Sequence, residues 1–86
     1  MKQDKIKMNV ALIQDRTMTV GQVIDLVITG KLRREVELGK ESFAEFIGVD
    51  RKTVRSYEDF SAIPKLGIVF DIAQKFKIKI KMNKDE

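Results

Sequence analysis

The sequence predicts a mainly α-helical fold of about four to five helices, with a short basic β-strand at each end. Three observations carry this. Apolar residues recur at helical intervals from Val20 to Phe76. Residues 75–82, KFKIKIKM, alternate strictly between lysine and an apolar side chain, which is the period of a strand. In the middle, residues 39–58 hold two short helical patterns separated by a single tight turn at Gly48. The 86 residues fit one domain, 1–86, with no linker composition to divide it.

The elements follow in order. Residues 5–13, KIKMNVALI, begin with polar and apolar residues in alternation, which predicts a strand; the continuously apolar second half also fits a helical turn. Gln14 to Thr17 read as a polar connection. Thr19 with Gln22 three places on has capping-box spacing, and Val20, Val23, Ile24, Val27, Ile28 and Leu32 then predict one helix over about 20–36. Gly30 inside it disfavours helix by roughly 1 kcal/mol relative to Ala, and marks a bend or a close contact. The next two helices are predicted at 40–47 and 51–58. Phe43, Ala44, Phe46 and Ile47 turn the first inward, Gly48 suits a left-handed terminus, and Asp50 is placed to cap the second with its side chain. Pro64 fits the first turn of a fourth helix, whose buried face would be Leu66, Val69, Phe70, Ile72, Ala73 and Phe76. The alternating strand 75–82 closes the chain.

Composition narrows the chemistry. There are no cysteines and no histidines, so disulfides, thiolate metal sites and the commonest general base are absent. The acids are scattered, so catalytic machinery has little to be built from and the chain is not expected to be an enzyme; no cofactor or metal is expected. No run approaches the roughly 18 consecutive apolar residues of a membrane span. No leader pattern is evident at the N-terminus, so a cytoplasmic location is expected. The net charge of +4 is compatible with a nucleic-acid partner without establishing one.

An apolar-faced helix, a glycine turn and a second helix exposing basic side chains make a helix-turn-helix pattern. From Val27 onward the chain resembles the lambda-repressor/Cro-type (xenobiotic-response-element type) helix-turn-helix family. Leu32-Arg33 is similar to the end of that family's first helix. Residues 38–49, LGKESFAEFIGV, follow its second helix and turn, and 50–58, DRKTVRSYE, follow its recognition helix and closing glutamate. Pro64, Leu66, Ile72, Ala73, Phe76 and Ile78 fall where the family has its later proline and core positions. The chain departs at Gly39, where a serine or threonine usually caps the second helix, at Lys40, where glutamine is frequent, and at Phe60, where a glycine often follows the recognition helix.

The resemblance implies a major-groove recognition helix with Arg51, Lys52, Arg55 and Ser56 at base edges. It implies Lys40 and Thr53 on phosphates, near helix N-termini. The alternative reading of the basic residues is a solvated helix face, and of Thr53 a local cap. Lys75, Lys77, Lys79 and Lys81 admit a solvated strand face, which is favoured, or a track along a DNA backbone. Their reverse face, Phe76, Ile78, Ile80 and Met82, is the candidate strand for joining a second copy. The expected function is a sequence-specific transcription regulator, a repressor binding a twofold-related double-stranded DNA operator as a homodimer. The alternative is an antitoxin or antirepressor-like protein-interaction module on the same fold, with a partner such as a toxin.

Overall fold

The structure, a computed structural model, describes Ile13 and residues 15–81. Over these residues the chain is mainly helical with one small sheet. The order is β1 (Arg16–Met18), α1 (Val20–Ile28), α2 (Lys31–Glu35), α3 (Lys40–Ile47), α4 (Arg51–Glu58), α5 (Leu66–Lys75) and β2 (Ile78–Ile80). The strands pair in parallel, Arg16 opposite Ile78 and Met18 opposite Ile80, so the five helices form the crossover between them. A pair of three-residue strands has little stability of its own. Here it is anchored by Ile78, which is buried, and by Met18 and Ile80, which pack against the same core.

The predicted cap on α1 is present. The Thr19 hydroxyl accepts from the Gln22 N–H at 3.1 Å, and the Gln22 side chain accepts from the Thr19 N–H at 2.9 Å. The single helix predicted over 20–36 is instead two. The Thr29 hydroxyl donates back to the Asp25 carbonyl at 2.7 Å, and Gly30 follows with φ 75°, ending α1 and starting α2. A Cβ at Gly30 would lie 2.8 Å from Arg34 Nη1 and 3.0 Å from Glu58 Oε1. Both the backbone angle and the close approach call for glycine here.

Helices α3 and α4 have the predicted bounds, 40–47 and 51–58, with Gly48 left-handed at φ 83° between them. The Gly48 and Val49 N–H groups both donate to the Ala44 carbonyl at 2.9 Å, closing the first helix. Asp50 holds the N-cap position of α4, but its side chain makes no capping bond. Its carbonyl instead accepts from the Thr53 and Val54 N–H groups.

Phe43 and Phe76 lie at the centre of the core with Leu32, Val23, Val27, Val54, Val69 and Ile72. The Phe76 ring is 6.0 Å from that of Phe43 and meets Phe46 edge-on at 5.2 Å. That packing redraws the C-terminal prediction. Lys75 belongs to α5, Phe76 caps it, Lys77 turns the chain at φ 56°, and among the described residues of that run only 78–80 is strand. Pro64 is buried ahead of α5, not in its first turn; Lys65 is the N-cap and the helix begins at Leu66. Leu66 and Phe70, predicted as core, are 56% and 42% exposed, because α5 turns Val69, Ile72 and Ala73 inward instead. Arg16 and Thr17, predicted as connection, form β1: pairing with a segment some sixty residues away satisfies their backbone groups. The predicted strand over 5–13 lies outside the described residues except for Ile13, which packs against the core.

Candidate nucleic-acid interface

Helix α4 is divided by its own periodicity. Val54 and Tyr57, three apart, are buried at 1% and 4% exposure and fasten the helix to the core. Burial raises the Tyr57 hydroxyl pKa above its ordinary value. Arg51, Lys52 and Arg55 are exposed, while Thr53 and Ser56 are half-buried. The ion pairs among the described residues are Arg16–Glu35 and Arg33–Glu58, and neither involves Arg51, Lys52 or Arg55.

The one acid of α4, Glu58, is turned away from that face. It accepts from Arg33 twice, Nε to Oε2 at 2.8 Å and Nη2 to Oε1 at 3.1 Å, and Arg33 Nη1 also donates to the Leu38 carbonyl at 3.2 Å. The two side chains are only 15% and 12% exposed. This fork fixes the C-terminal end of α4 against α2 and against the entry to α3. Gly30 passes close beneath the same carboxylate.

Beyond Glu58 the chain turns through Phe60 at φ 66°, and the Ser61 N–H donates to the Ser56 carbonyl at 2.9 Å, closing α4. Left-handed backbone at Phe60 explains why a glycine suits this place. The Asp59 carboxylate accepts from the Ser61 hydroxyl and, at 3.0 Å, from the Ser61 N–H. Those bonds hold its pKa below the ordinary aspartate range, with smaller contributions from the charges of Arg55 and Lys40. Lys40, at the N-terminus of α3, and Arg55, on α4, therefore act on one carboxylate although fifteen positions separate them in sequence. Gly39 ahead of Lys40 offers no side-chain cap, which leaves the first-turn N–H groups of α3 open to an external acceptor.

The remaining site residues of the sequence reading separate from this face. Phe76 and Ile78 are 1% and 5% exposed inside the chain's own core, and Ile80 is half-buried against it. Their side chains are thus committed and do not offer a free strand face to a second copy, since packing Phe76 between Phe43 and Phe46 outcompetes solvent exposure. Met82 lies outside the described residues. Of the lysine ladder, Lys75 donates to the Phe46 carbonyl at 3.0 Å. Lys77 and Lys79 line an open depression of about 260 Å³ with Asp15, Arg16 and Thr17.

Sequence reasoning missed the Arg33–Glu58 fork and the Asp59–Ser61 turn. The fork joins residues twenty-five apart, and no local pattern marks it. The turn had a signal: an Asp two residues before a Ser favours a local side-chain turn. Among the described residues no three His, Cys, Asp or Glu side chains gather as a metal site, and no helix is long and apolar enough to cross a membrane. No protein-family model matches the chain, and neither a curated protein nor a solved structure matches it.

Proposed function

We propose that this chain is a sequence-specific DNA-binding regulator of the lambda-repressor/Cro-like helix-turn-helix type, acting as a dimer on a twofold-related operator. The observation that carries the proposal is α4: buried Val54 and Tyr57 behind, the three exposed cations Arg51, Lys52 and Arg55 in front, and its acid drawn off by Arg33. With α3 behind it and α4 in the major groove, Arg51 and Lys52 enter first and Arg55 follows one turn later. An arginine reaching guanine O6 and N7 together discriminates by about 1–3 kcal/mol. Ser56 is half-buried and plays the smaller part. Lys40, beside the uncapped N-terminus of α3, supplies a phosphate contact, and Thr53 a second. Such contacts orient the protein without reading sequence.

Selection of bound sites from random duplex DNA tests the proposal. A recovered site with two related halves separated by about one helical turn, 34–36 Å, supports it. Recovery of no preferred sequence at moderate salt removes it. Lys40→Ala should weaken binding to all duplexes alike and lower the salt slope by about one.

A second reading, a protein-interaction module, is favoured by one observation: Phe60, Ile63, Leu66 and Phe70 stand 42–70% exposed. An interaction module alone gives no role to the bare cationic face of α4, so the DNA reading takes precedence.

A further inference from the structure

Because β1 and β2 run parallel, both strands begin at the same end of the sheet. The helical crossover thereby brings Asp15 and Arg16 beside Lys77, although some sixty positions separate them in sequence. Thr17 stands opposite Lys79 in the register, so these two side chains share one face of the sheet. Together the five line the open depression of about 260 Å³. Thr17, Lys77 and Lys79 are exposed and Arg16 is half-buried.

Arg16 holds the second observation. Its Nη2 donates to Glu35 Oε1 at 3.1 Å, which fixes one side of the guanidinium. Its Nε is shut off from water and has no hydrogen-bond partner, the one such side-chain nitrogen or oxygen among the described residues. Buried donors are otherwise nearly always paired, so an orphan beside a cationic depression asks for an acceptor.

We infer that this depression binds a phosphate group. The guanidinium Nε, two ammonium groups and the Thr17 hydroxyl are donors from several directions. A tetrahedral oxyanion accepts from all of them, whereas a planar carboxylate satisfies the arginine and leaves a lysine over. The side chain of Arg16 is 27% exposed, which leaves its guanidinium room to turn Nε toward a ligand oxygen. A concave wall also concentrates the field of its cations more than a convex helix face does. Size agrees, since pockets for drug-sized ligands run about 300–1,000 Å³. This smaller, open one takes a single charged group and leaves the rest of the carrier in solvent. Asp15 on the rim opposes an anion and weakens the site. A merely solvated strand face needs neither the arginine nor the hollow. The phosphate can belong to a free small molecule or to a nucleic-acid backbone, and the inference does not depend on α4 reading DNA.

An NMR titration of the full chain with inorganic phosphate, at ionic strength held constant with sodium chloride, tests it. The Thr17, Lys77 and Lys79 amides and the Arg16 Nε–H should follow one saturable curve that Arg51 and Lys52 do not share. Lys77→Gln with Lys79→Gln should raise the phosphate Kd roughly tenfold or more, and Asp15→Asn should lower it. All three positions are exposed, so urea midpoints should match wild type. Shifts that do not saturate, equal shifts on α4, or a folded double lysine variant that binds phosphate as wild type does overturns the inference and leaves the α4 proposal standing. Duplex DNA separates the two sources. If a backbone phosphate fills the depression, the double lysine variant lowers the salt slope of duplex binding by about one to two. An unchanged slope, with phosphate binding lost in that variant, assigns the site to a free phosphate ester. Saturable phosphate binding in a protein that selects no DNA sequence keeps the inference and removes the DNA reading.

Discussion

Replacing Glu58 by alanine removes the acceptor of two charge-assisted hydrogen bonds and leaves the Arg33 guanidinium, 15% exposed, with the Leu38 carbonyl alone. Breaking a fully buried pair from one side destabilises by about 3–5 kcal/mol, because the remaining charge is stranded. Here both side chains keep some contact with water, so the expected loss is about 2–3 kcal/mol. For a domain of this size each kcal/mol moves Tm by about 4–8 °C, which gives a fall of roughly 10–20 °C. Urea unfolding followed by circular dichroism reads the change directly. The double variant Arg33→Met, Glu58→Leu should recover most of it, since a well-packed apolar pair is often as stable as the ion pair it replaces. A Glu58→Ala variant within about 0.5 kcal/mol of wild type, the range of an ordinary surface change, would refute the view that this fork holds α4 to α2.

Gly30→Ala should destabilise by about 1–3 kcal/mol, combining left-handed strain with crowding against the Glu58 carboxylate; urea titration measures it. Phe60→Gly should be neutral to about 1 kcal/mol stabilising, because relief at φ 66° offsets the added chain entropy of glycine; a thermal melt measured at low concentration, where the monomer dominates, checks it. Asp59 should titrate below ordinary aspartates in a carbon-detected NMR titration. With its folded pKa depressed, the unfolded chain binds the proton first. The stabilisation is therefore present above the ordinary aspartate pKa and lost as pH falls through the lowered one. Ser61→Ala should move the Asp59 midpoint upward, since the Ser61 hydroxyl is the leading cause of the shift.

The parts of this fold that were legible in the sequence are those set by neighbours in the chain. The Thr19–Gln22 cap, the Gly48 turn and the bounds of α3 and α4 depend on residues within four positions of each other, and they stand as read. The division of α1 from α2 was half legible: Gly30 showed as a weak point, but that it breaks the helix depends on Arg34 and Glu58 closing over it. The strand β1 was hidden because its register is set by β2 at the other end of the chain. In α5 two apolar stripes compete, Leu66–Phe70 and Val69–Ile72–Ala73, and helical spacing alone does not say which the core selects. Phe76 illustrates the same limit at the C-terminus. The sequence places it both on the buried face of the last helix and in the alternating lysine run, and the gap beside Phe43 and Phe46 decides for the core. At the candidate interface the exposure of Arg51, Lys52 and Arg55 was legible from period alone. The removal of Glu58 from their field was not.

Fluorescence anisotropy of a labelled operator half-site pair, compared with a scrambled duplex at matched salt, bears most directly on that face. Wild type should favour the operator, and Arg51→Ala with Lys52→Ala should weaken operator binding by about 2–5 kcal/mol while bringing the two duplexes nearly level. Unchanged affinity and unchanged preference in the folded double variant would contradict the assignment of α4 as the reading helix.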